Sequence, residues 1–309
     1  MRMDNTVGVA IPTLNAETYL QNLLGRLLSS KVVSRVLIID SSSSDRTVEI
    51  ANDCGVEVLS ISKSDFNHGS TRELARKNLG TDIVVFLTQD AIPVNSQTIS
   101  KLVKPIVTGK ASTSYAKQIP KKNAGIFESF PKELSYGTTP QIRSKNDIGK
   151  YGVYSFFCSN SCAAWSYKAL DEIGGFKPTL TNEDYFACAE LLMNGHNVAY
   201  VPEAAVIHSH NYSLIYEFQR MFDTGYVRAE RPWIQNMVGN LESKGKIIFN
   251  SLINKLLKEN IFLIPYALLQ TIFKYVGYKI GFNAQRFPKW LKKTLSGQKY
   301  FWDSKYYLD

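Results

Sequence analysis

Three aspartates in this 309-residue chain sit in surroundings that could turn charge into chemistry: Asp40, Asp90 and Asp184. Asp90 closes the run Ile83-Val84-Val85-Phe86-Leu87-Thr88-Gln89-Asp90 and is followed by Ala91-Ile92-Pro93. A continuous apolar run bounded by turn signals reads as a strand buried on both faces of a parallel sheet. Ligands of open α/β sheets bind just outside the carboxyl ends of such strands. Asp90 therefore falls where a charge can reach a ligand without entering the core. A second apolar run, residues 32–39, closes on Asp40 and then Ser41-Ser42-Ser43-Ser44-Asp45, and a third, residues 7–11, closes on Pro12-Thr13-Leu14-Asn15. Polar groups at three strand ends imply one binding edge. Asp45 reads as a cap for a helix beginning near Arg46. Asp40, ahead of the serine loop, reads as a ligand residue.

The second half adds candidates of another kind. Thr181-Asn182-Glu183-Asp184 precedes a helix expected at 185–194. An acid there suits a general base, but it equally suits helix capping and dipole complementarity, and position alone leaves both open. Short strands expected at 198–201 and 204–207 deliver His208-Ser209-His210. His68, beside Gly69, reads as either a turn residue or a direct participant.

These residues need a scaffold, and the pattern supplies one. Helical spacing over 17–29, a strand at 56–61 and a helix at 71–79 alternate with the strands above. That alternation predicts an α/β fold with a mostly parallel, Rossmann-like sheet flanked by helices. Residues 115–154, rich in Lys, Pro, Gly and Ser, read as a mobile excursion of the kind used as a lid or acceptor loop. Order is expected to resume with a strand at 156–165 and helices at 168–173 and 214–230. The expected division is a main domain at 1–240 and a basic, amphipathic helical extension at 241–309.

Hydrophobic content of 44% fits a globular core. Met1 to Asn5 leads straight toward a strand, so no signal peptide is expected. The cysteines Cys54, Cys158, Cys162 and Cys188 lack zinc-finger spacing and read as reduced, buried thiols of a cytosolic protein, with Cys158 and Cys162 on one strand face. The net charge of +9 is concentrated: from Lys244 onward there are 12 basic and 3 acidic residues, and before it 24 of each. Residues 261–273 are strongly apolar but interrupted by Pro265, short of the ~20 residues that span a bilayer. With flanking lysines and Trp290, Tyr300, Phe301 and Trp302, the extension reads as an interfacial membrane anchor. A helical bundle packed on the core or on a second subunit is the other reading.

Taken in order, the segments resemble the family 2 inverting glycosyltransferases of the GT-A fold, and among them the bacterial rhamnosyltransferases. Pro12-Thr13-Leu14-Asn15 is similar to the opening nucleotide loop, and Asp40-Ser41-Ser42-Ser43-Ser44-Asp45 to the base-binding Asp loop. Phe66-Asn67-His68-Gly69-Ser70-Thr71-Arg72 and Thr88-Gln89-Asp90-Ala91 resemble the segments that mark rhamnosyltransferases. Asn182-Glu183-Asp184 resembles the acidic pair with the catalytic base, and His208 the late metal-facing histidine. Two departures stand out: Glu73 where many relatives have Asn, and Gln89 in place of the first carboxylate of Asp-x-Asp.

The resemblance implies transfer of a sugar, L-rhamnose from dTDP-L-rhamnose, to a hydroxyl of a lipid-linked saccharide in bacterial cell-surface polysaccharide synthesis. It implies donor contacts from Pro12, Thr13, Asn15, Asp40, Arg72, Gln89 and Asp90. Mg²⁺ or Mn²⁺ is expected on Asp90 with His208 or His210, Asp184 as base, and Glu183 on the acceptor side. The expected location is the cytoplasmic face of the plasma membrane, as a peripheral protein and a possible homo-oligomer.

Other classes fit less well. Transfer from another UDP- or dTDP-hexose is the nearest alternative. A nicotinamide dehydrogenase should show Gly-x-Gly-x-x-Gly after its first strand, where this chain has Pro-Thr-Leu-Asn. A nucleotidyltransferase should carry a basic, glycine-rich phosphate loop early on. A non-catalytic membrane-associated nucleotide-sugar-binding module would keep Asp40 and Asp90 but need no base. No nucleic acid is expected, because the basic tail carries long apolar segments.

Overall fold

The computed structural model describes residues 5–238 and 242–307. Its first half runs β1 (Val7–Thr13), α1 (Glu17–Leu28), β2 (Arg35–Asp40), α2 (Thr47–Asp53), β3 (Glu57–Ser60), α3 (His68–Leu79), β4 (Ile83–Leu87), β5 (Ile92–Pro93) and α4 (Thr98–Val107). Then come β6 (Thr113–Ile119), α5 (Ile126–Ser135), β7 (Gln141–Arg143), α6 (Ile148–Tyr151), β8 (Cys162–Ser166), α7 (Tyr167–Glu172), α8 (Glu183–Met193) and β9 (Val198–Ile207). The chain finishes with α9 (Leu214–Ala229), α10 (Pro232–Val238), α11 (Glu242–Glu259), α12 (Ile264–Phe282) and α13 (Lys289–Leu295). The strands form one sheet in the order β3-β2-β1-β4-β8-β6-β9-β5, with β7 beside β9.

The sheet is parallel from β3 through β4 and mixed beyond it, where β8 runs antiparallel to both β4 and β6. Helices cover both faces, which is why β4 is apolar at every position. Val84 and Phe86 enter one core cluster and Ile83, Val85 and Leu87 the other, as the two-residue alternation of a strand requires. The doubly covered α/β scaffold read from the sequence is the one found.

Several local expectations need correction. Residues 115–154 are no mobile excursion: they hold β6, which pairs with β8 and β9, followed by α5, β7 and α6. The strand expected at 156–165 begins only at Cys162, because Ser159-Asn160-Ser161 interrupts the apolar run with side chains that bond elsewhere. Cys158 therefore precedes the strand, although it, Cys162 and Cys188 are free and buried as expected. The two short strands expected at 198–207 are one, β9, whose register against β6 shifts between Ala116 and Lys117. His68 is no turn residue: Asn67 caps α3, accepting from Gly69 and Ser70 N–H at 3.1 Å, and His68 opens the helix.

The extension is continuous with the core. Phe301 and Trp302 share a cluster with Phe86 and Trp165. Pro265 does not break the apolar run. It sits in the first turn of α12, where its missing N–H is harmless. Residues 261–282 are thus long and apolar enough to cross a membrane by length and composition, contrary to the expectation. That helix nevertheless packs closely on α9: a Cβ on Gly277 or Gly281 would lie 2.4 or 2.0 Å from the carbonyl oxygen of Phe218 or Phe222. The boundary expected at 240/241 lies outside the described residues, as do Met1 to Asp4.

Candidate active site

Asp90 lies in the turn just past β4, and β5 follows it directly. Because Ile92 pairs with Ile207 in the antiparallel β5–β9 contact, the residues after β9 are carried back over that turn. His208 Nε2 lies 3.4 Å from Asp90 Oδ1, and His210 Nε2 lies 3.3 Å from Asp90 Oδ2. The two Nε2 atoms are 2.9 Å apart. Both histidines face the carboxylate, so either or both are placed to share a cation with Asp90. Potential ligand atoms of the three residues all lie within 4.8 Å of one another.

The surroundings prepare this cluster for a cation. His208 Nδ1 donates to Gln118 Oε1 at 2.9 Å, which directs the ring so that Nε2 faces Asp90. A charged His208 donates from Nε2 to the carboxylate, and a neutral one offers a lone pair there. Gln118 Oε1 also accepts from Lys132 of α5. Burial lowers the Lys132 ammonium to about 8, and burial, then the charge of His208, lowers His210 to about 4. A neutral imidazole is the form that ligates metal. Burial alone would raise Asp90, but the hydrogen bond and charge of His208, with His210, outweigh it and hold the carboxyl at about 2. An ionised carboxylate and two imidazoles fit Mn²⁺ well, and Mg²⁺ if oxygen ligands complete the shell.

A second acidic centre lies on the same rim. Leu87 pairs with Cys162, and Thr88 N–H reaches Ser161 O at 3.4 Å, so Asn160 stands beside the end of β4. Asn160 N–H donates to Asp184 Oδ2 at 2.9 Å, and its Nδ2 donates to Glu183 Oε1 at 3.1 Å. Its Oδ1 accepts from buried Trp165 Nε1 at 2.8 Å. Asp184 Oδ1 takes Tyr185 N–H at 2.8 Å. Arg72 Nη1 lies 3.1 Å from Glu183 Oε1, with both side chains only 6% exposed. Burial, then the neighbouring Glu183 charge, pushes Asp184 up to about 7. Glu183 is held low, since Arg72 and His68 outweigh the burial that would raise it. One carboxyl is thereby kept as a charged anchor and the other near neutrality.

At the β1 and β2 ends, Thr13 Oγ1 donates to Asp40 Oδ1 at 3.0 Å, and Ser43 N–H donates to Asp40 Oδ2 at 2.9 Å. Asp40 is 2% exposed and shapes the serine loop from inside. Asn15 Oδ1 accepts from Ser44 N–H at 2.9 Å, stitching the first loop to the second. Gln89 clamps Leu14, accepting its N–H at 2.8 Å and donating to its carbonyl at 3.1 Å. A carboxylate could not make the second bond, so the Gln in place of Asp has a structural reason here. Pro12 occupies β1 past its last pairing with β4, at Ala10, where no N–H is required of it. Among the described residues, the non-glycine positions with positive φ are Asn15, Ser42 and Asn182, all in these rim loops. Strain of that kind gathers at functional sites.

Sequence-expected residues thus fall into three groups: Asp90 with His208 and His210; Asp184 with Glu183 and Arg72; and Pro12, Thr13, Asn15, Asp40 and Gln89. Arg72 meets the acidic pair rather than the Asp90 cluster. Asp45 stands one residue ahead of the N-cap Arg46 and accepts from Thr47 N–H at 3.0 Å, so it serves the first turn of α2 without being its N-cap. Asn160 and Gln118 were missed. The polar triplet Ser159-Asn160-Ser161 inside an apolar run was the available signal for Asn160; Gln118, in the segment read as mobile, offered none. Glu73, the other departure, accepts from Phe176 N–H at 3.1 Å and bonds Arg76, tying α3 to the Gly174-Gly175 turn.

Comparison with known proteins agrees with this geometry. Residues 8–174 match glycosyl transferase family 2. The chain is 38% identical over 302 residues to the O-antigen chain rhamnosyltransferase RfbN of Salmonella typhimurium, covering 96% of each. It is also 38% identical to the O-antigen chain rhamnosyltransferase WbaN of Salmonella anatum, covering 95% of each. Among solved structures it is similar to the Pyrobaculum calidifontis mannosyltransferase PcManGT in complex with GDP-Man and Mn²⁺ (TM-score 0.62, 12% identity, 91% and 88% of the two chains). It is likewise similar to S. aureus TarS 1–349 (TM-score 0.55, 15% identity, 91% of each chain).

Proposed function

The chain belongs to glycosyl transferase family 2, and from that premise we propose that it transfers L-rhamnose from dTDP-L-rhamnose to a hydroxyl of a growing, lipid-linked O-antigen saccharide, with inversion at the anomeric carbon. The observation that carries the reading is the convergence of Asp90, His208 and His210 on the same rim as the raised carboxyl of Asp184. Near-full-length similarity to O-antigen chain rhamnosyltransferases supports the choice of sugar.

The site's residues divide the work. A divalent cation, Mg²⁺ or Mn²⁺, on Asp90, His208 and His210 would stabilise the diphosphate charge as the glycosidic bond breaks. Thr13, Asn15, Gln89 and the serine loop form the floor for the nucleotide, with Asp40 fixing the loop's shape. Asp184 accepts the acceptor hydroxyl's proton. Its raised pKa suits a base working near neutral pH, and its two backbone hydrogen bonds hold it still while lone pairs remain for the incoming proton. Glu183, charged and paired with Arg72, orients this base by way of Asn160 and borders the acceptor. One base and one displacement imply inversion.

The extension supports a membrane-surface location. Phe262 is 90% exposed and Ile261 55%, on a segment carrying the chain's whole excess of positive charge. Basic amphipathic surfaces of this kind bind anionic lipid interfaces. The test of the function is a donor panel of dTDP-rhamnose against UDP-hexoses, read by nucleotide release and product mass. Rhamnosylated product from dTDP-rhamnose alone is expected; a hexosyl product from a UDP donor would overturn it.

A further inference from the structure

We infer that the apolar groove between α5, α9, α11 and α12 receives the hydrocarbon tail of the lipid-linked acceptor, an inference that rests on the lipid-linked reading above. The groove has a volume of about 1020 Å³ and takes its walls from Phe127, Phe130 and Leu134 of α5, Met221 of α9, Leu252 of α11 and Ile272 of α12. It is thus as large as the bigger small-molecule pockets of proteins.

Two of the walls lead to the reacting centre. Phe127, Phe130, Pro131 and Leu134 recur at helical spacing and give α5 one apolar face. From the same helix Glu128 accepts from Ser209, between the two cluster histidines, and Lys132 donates to Gln118, which holds His208. A single helix therefore separates the groove from the Asp90 cluster. The other wall starts at the cluster as well: Tyr212 stacks on His210 with centroids 5.1 Å apart, and α9 begins at Leu214. At 1.5 Å per residue, Met221 and Arg228 lie about 10 Å and about 21 Å along it. The groove runs outward beside the site.

Charge selects the occupant. No Asp or Glu lines the groove among the described residues, whereas Arg228, Lys246, Lys274 and Lys279 do, with Lys274 also paired to Glu217 of α9 at 3.2 Å. Apolar walls with a cationic lining match a long alkyl or isoprenoid chain attached to a phosphate. A second copy of this chain would present its own basic extension to that lining, so like charges oppose self-association. The outward apolar side chains of α12 meet the bilayer, and the groove lies behind them.

Leu134 and Ile272 are 43% and 55% exposed, so L134D and I272D place a charge in the groove without emptying the core. Initial rates with dTDP-rhamnose would be measured on one acceptor saccharide in two forms: on a long-chain isoprenoid diphosphate in detergent micelles, and on a short water-soluble alkyl linker. The expected result is a KM for the long-chain acceptor raised at least tenfold, with KM for the short acceptor and kcat for both unchanged. Equal losses on the two acceptors, or none, would overturn the inference. So would loss of sedimentation with anionic vesicles alongside an unchanged micellar KM, which would make the groove a membrane face. A wild-type dimer split by either variant in light scattering would assign it to a second copy and overturn it too. Photoreactive farnesyl phosphate supplies an arm independent of turnover: wild type should be labelled on α5 and α12 peptides and the variants should not. Labelling in a protein inert toward every rhamnosyl acceptor would sustain the groove and refute the function; turnover without labelling would do the reverse.

Discussion

Replacing Arg72 with Met removes the cation facing the buried acidic pair. Across 3.1 Å, Coulomb attraction at an effective dielectric of about 20 comes to about 5 kcal/mol. Much of it offsets the desolvation of two groups that are each 6% exposed. Breaking such a pair on one side leaves an uncompensated charge and costs about 3–5 kcal/mol, the loss expected for R72M in urea denaturation at pH 7.5. The double variant R72M/E183Q restores charge balance and should recover most of it. Activity provides a second readout. Arg72 lowers both Glu183 and Asp184, so without it both acids protonate more readily. A base must be ionised to act, and its rate rises with pH through its pKa. The acid limb of kcat/KM in R72M therefore moves to higher pH, by on the order of one unit. A loss below about 1 kcal/mol, or an unmoved acid limb in a folded R72M, would refute the buried-pair reasoning.

Asp223, 2% exposed, is pushed up to about 7 by burial against the hydrogen bonds of Ser296 and Gly297. The native state then holds a proton that the unfolded chain gives up near pH 4, so stability falls as pH rises from about 4 through about 7. D223N should match wild type at pH 4 and exceed it by up to a few kcal/mol at pH 8 in denaturant titrations; parallel curves would contradict this. G281A drives a Cβ toward the Phe222 carbonyl, 2.0 Å away, and the α9–α12 contact should weaken by about 1–3 kcal/mol, read as a lowered Tm. Q89E keeps the bond from Leu14 N–H but sets a carboxylate oxygen against the Leu14 carbonyl. A loss of about 1–1.5 kcal/mol raises the KM for dTDP-rhamnose roughly tenfold, with little change in kcat.

The strands were legible in the sequence because burial on both faces leaves an unbroken apolar run, as at β2 and β4, and the polar residue ending each run marks the rim. Asp40 and Asp90 were singled out for that reason, whereas Asp184, ahead of a helix, took its role from the family resemblance. Other features depended on contacts distant in sequence. Residues 115–154 looked mobile because they are rich in Lys, Pro, Gly and Ser, and Pro131 inside α5 disguised the helical spacing of Phe127, Phe130 and Leu134. Pro265 looked like a break because a proline in a first turn and one in mid-helix differ only in where the helix starts. The pairing of Arg72 with Glu183 spans 111 residues of chain, and no local pattern announces it. Motif reading placed Arg72 on the donor phosphates, while packing brings it to the acidic pair.

Steady-state kinetics of D184N, with dTDP-rhamnose binding checked by calorimetry in the presence of Mn²⁺, bears most directly on the division of labour between the rim carboxylates. Donor affinity should stay within about twofold of wild type, while kcat falls about 10²–10⁴-fold. A variant that binds the donor normally and still turns over within tenfold of wild type would contradict the assignment of Asp184 as the proton acceptor.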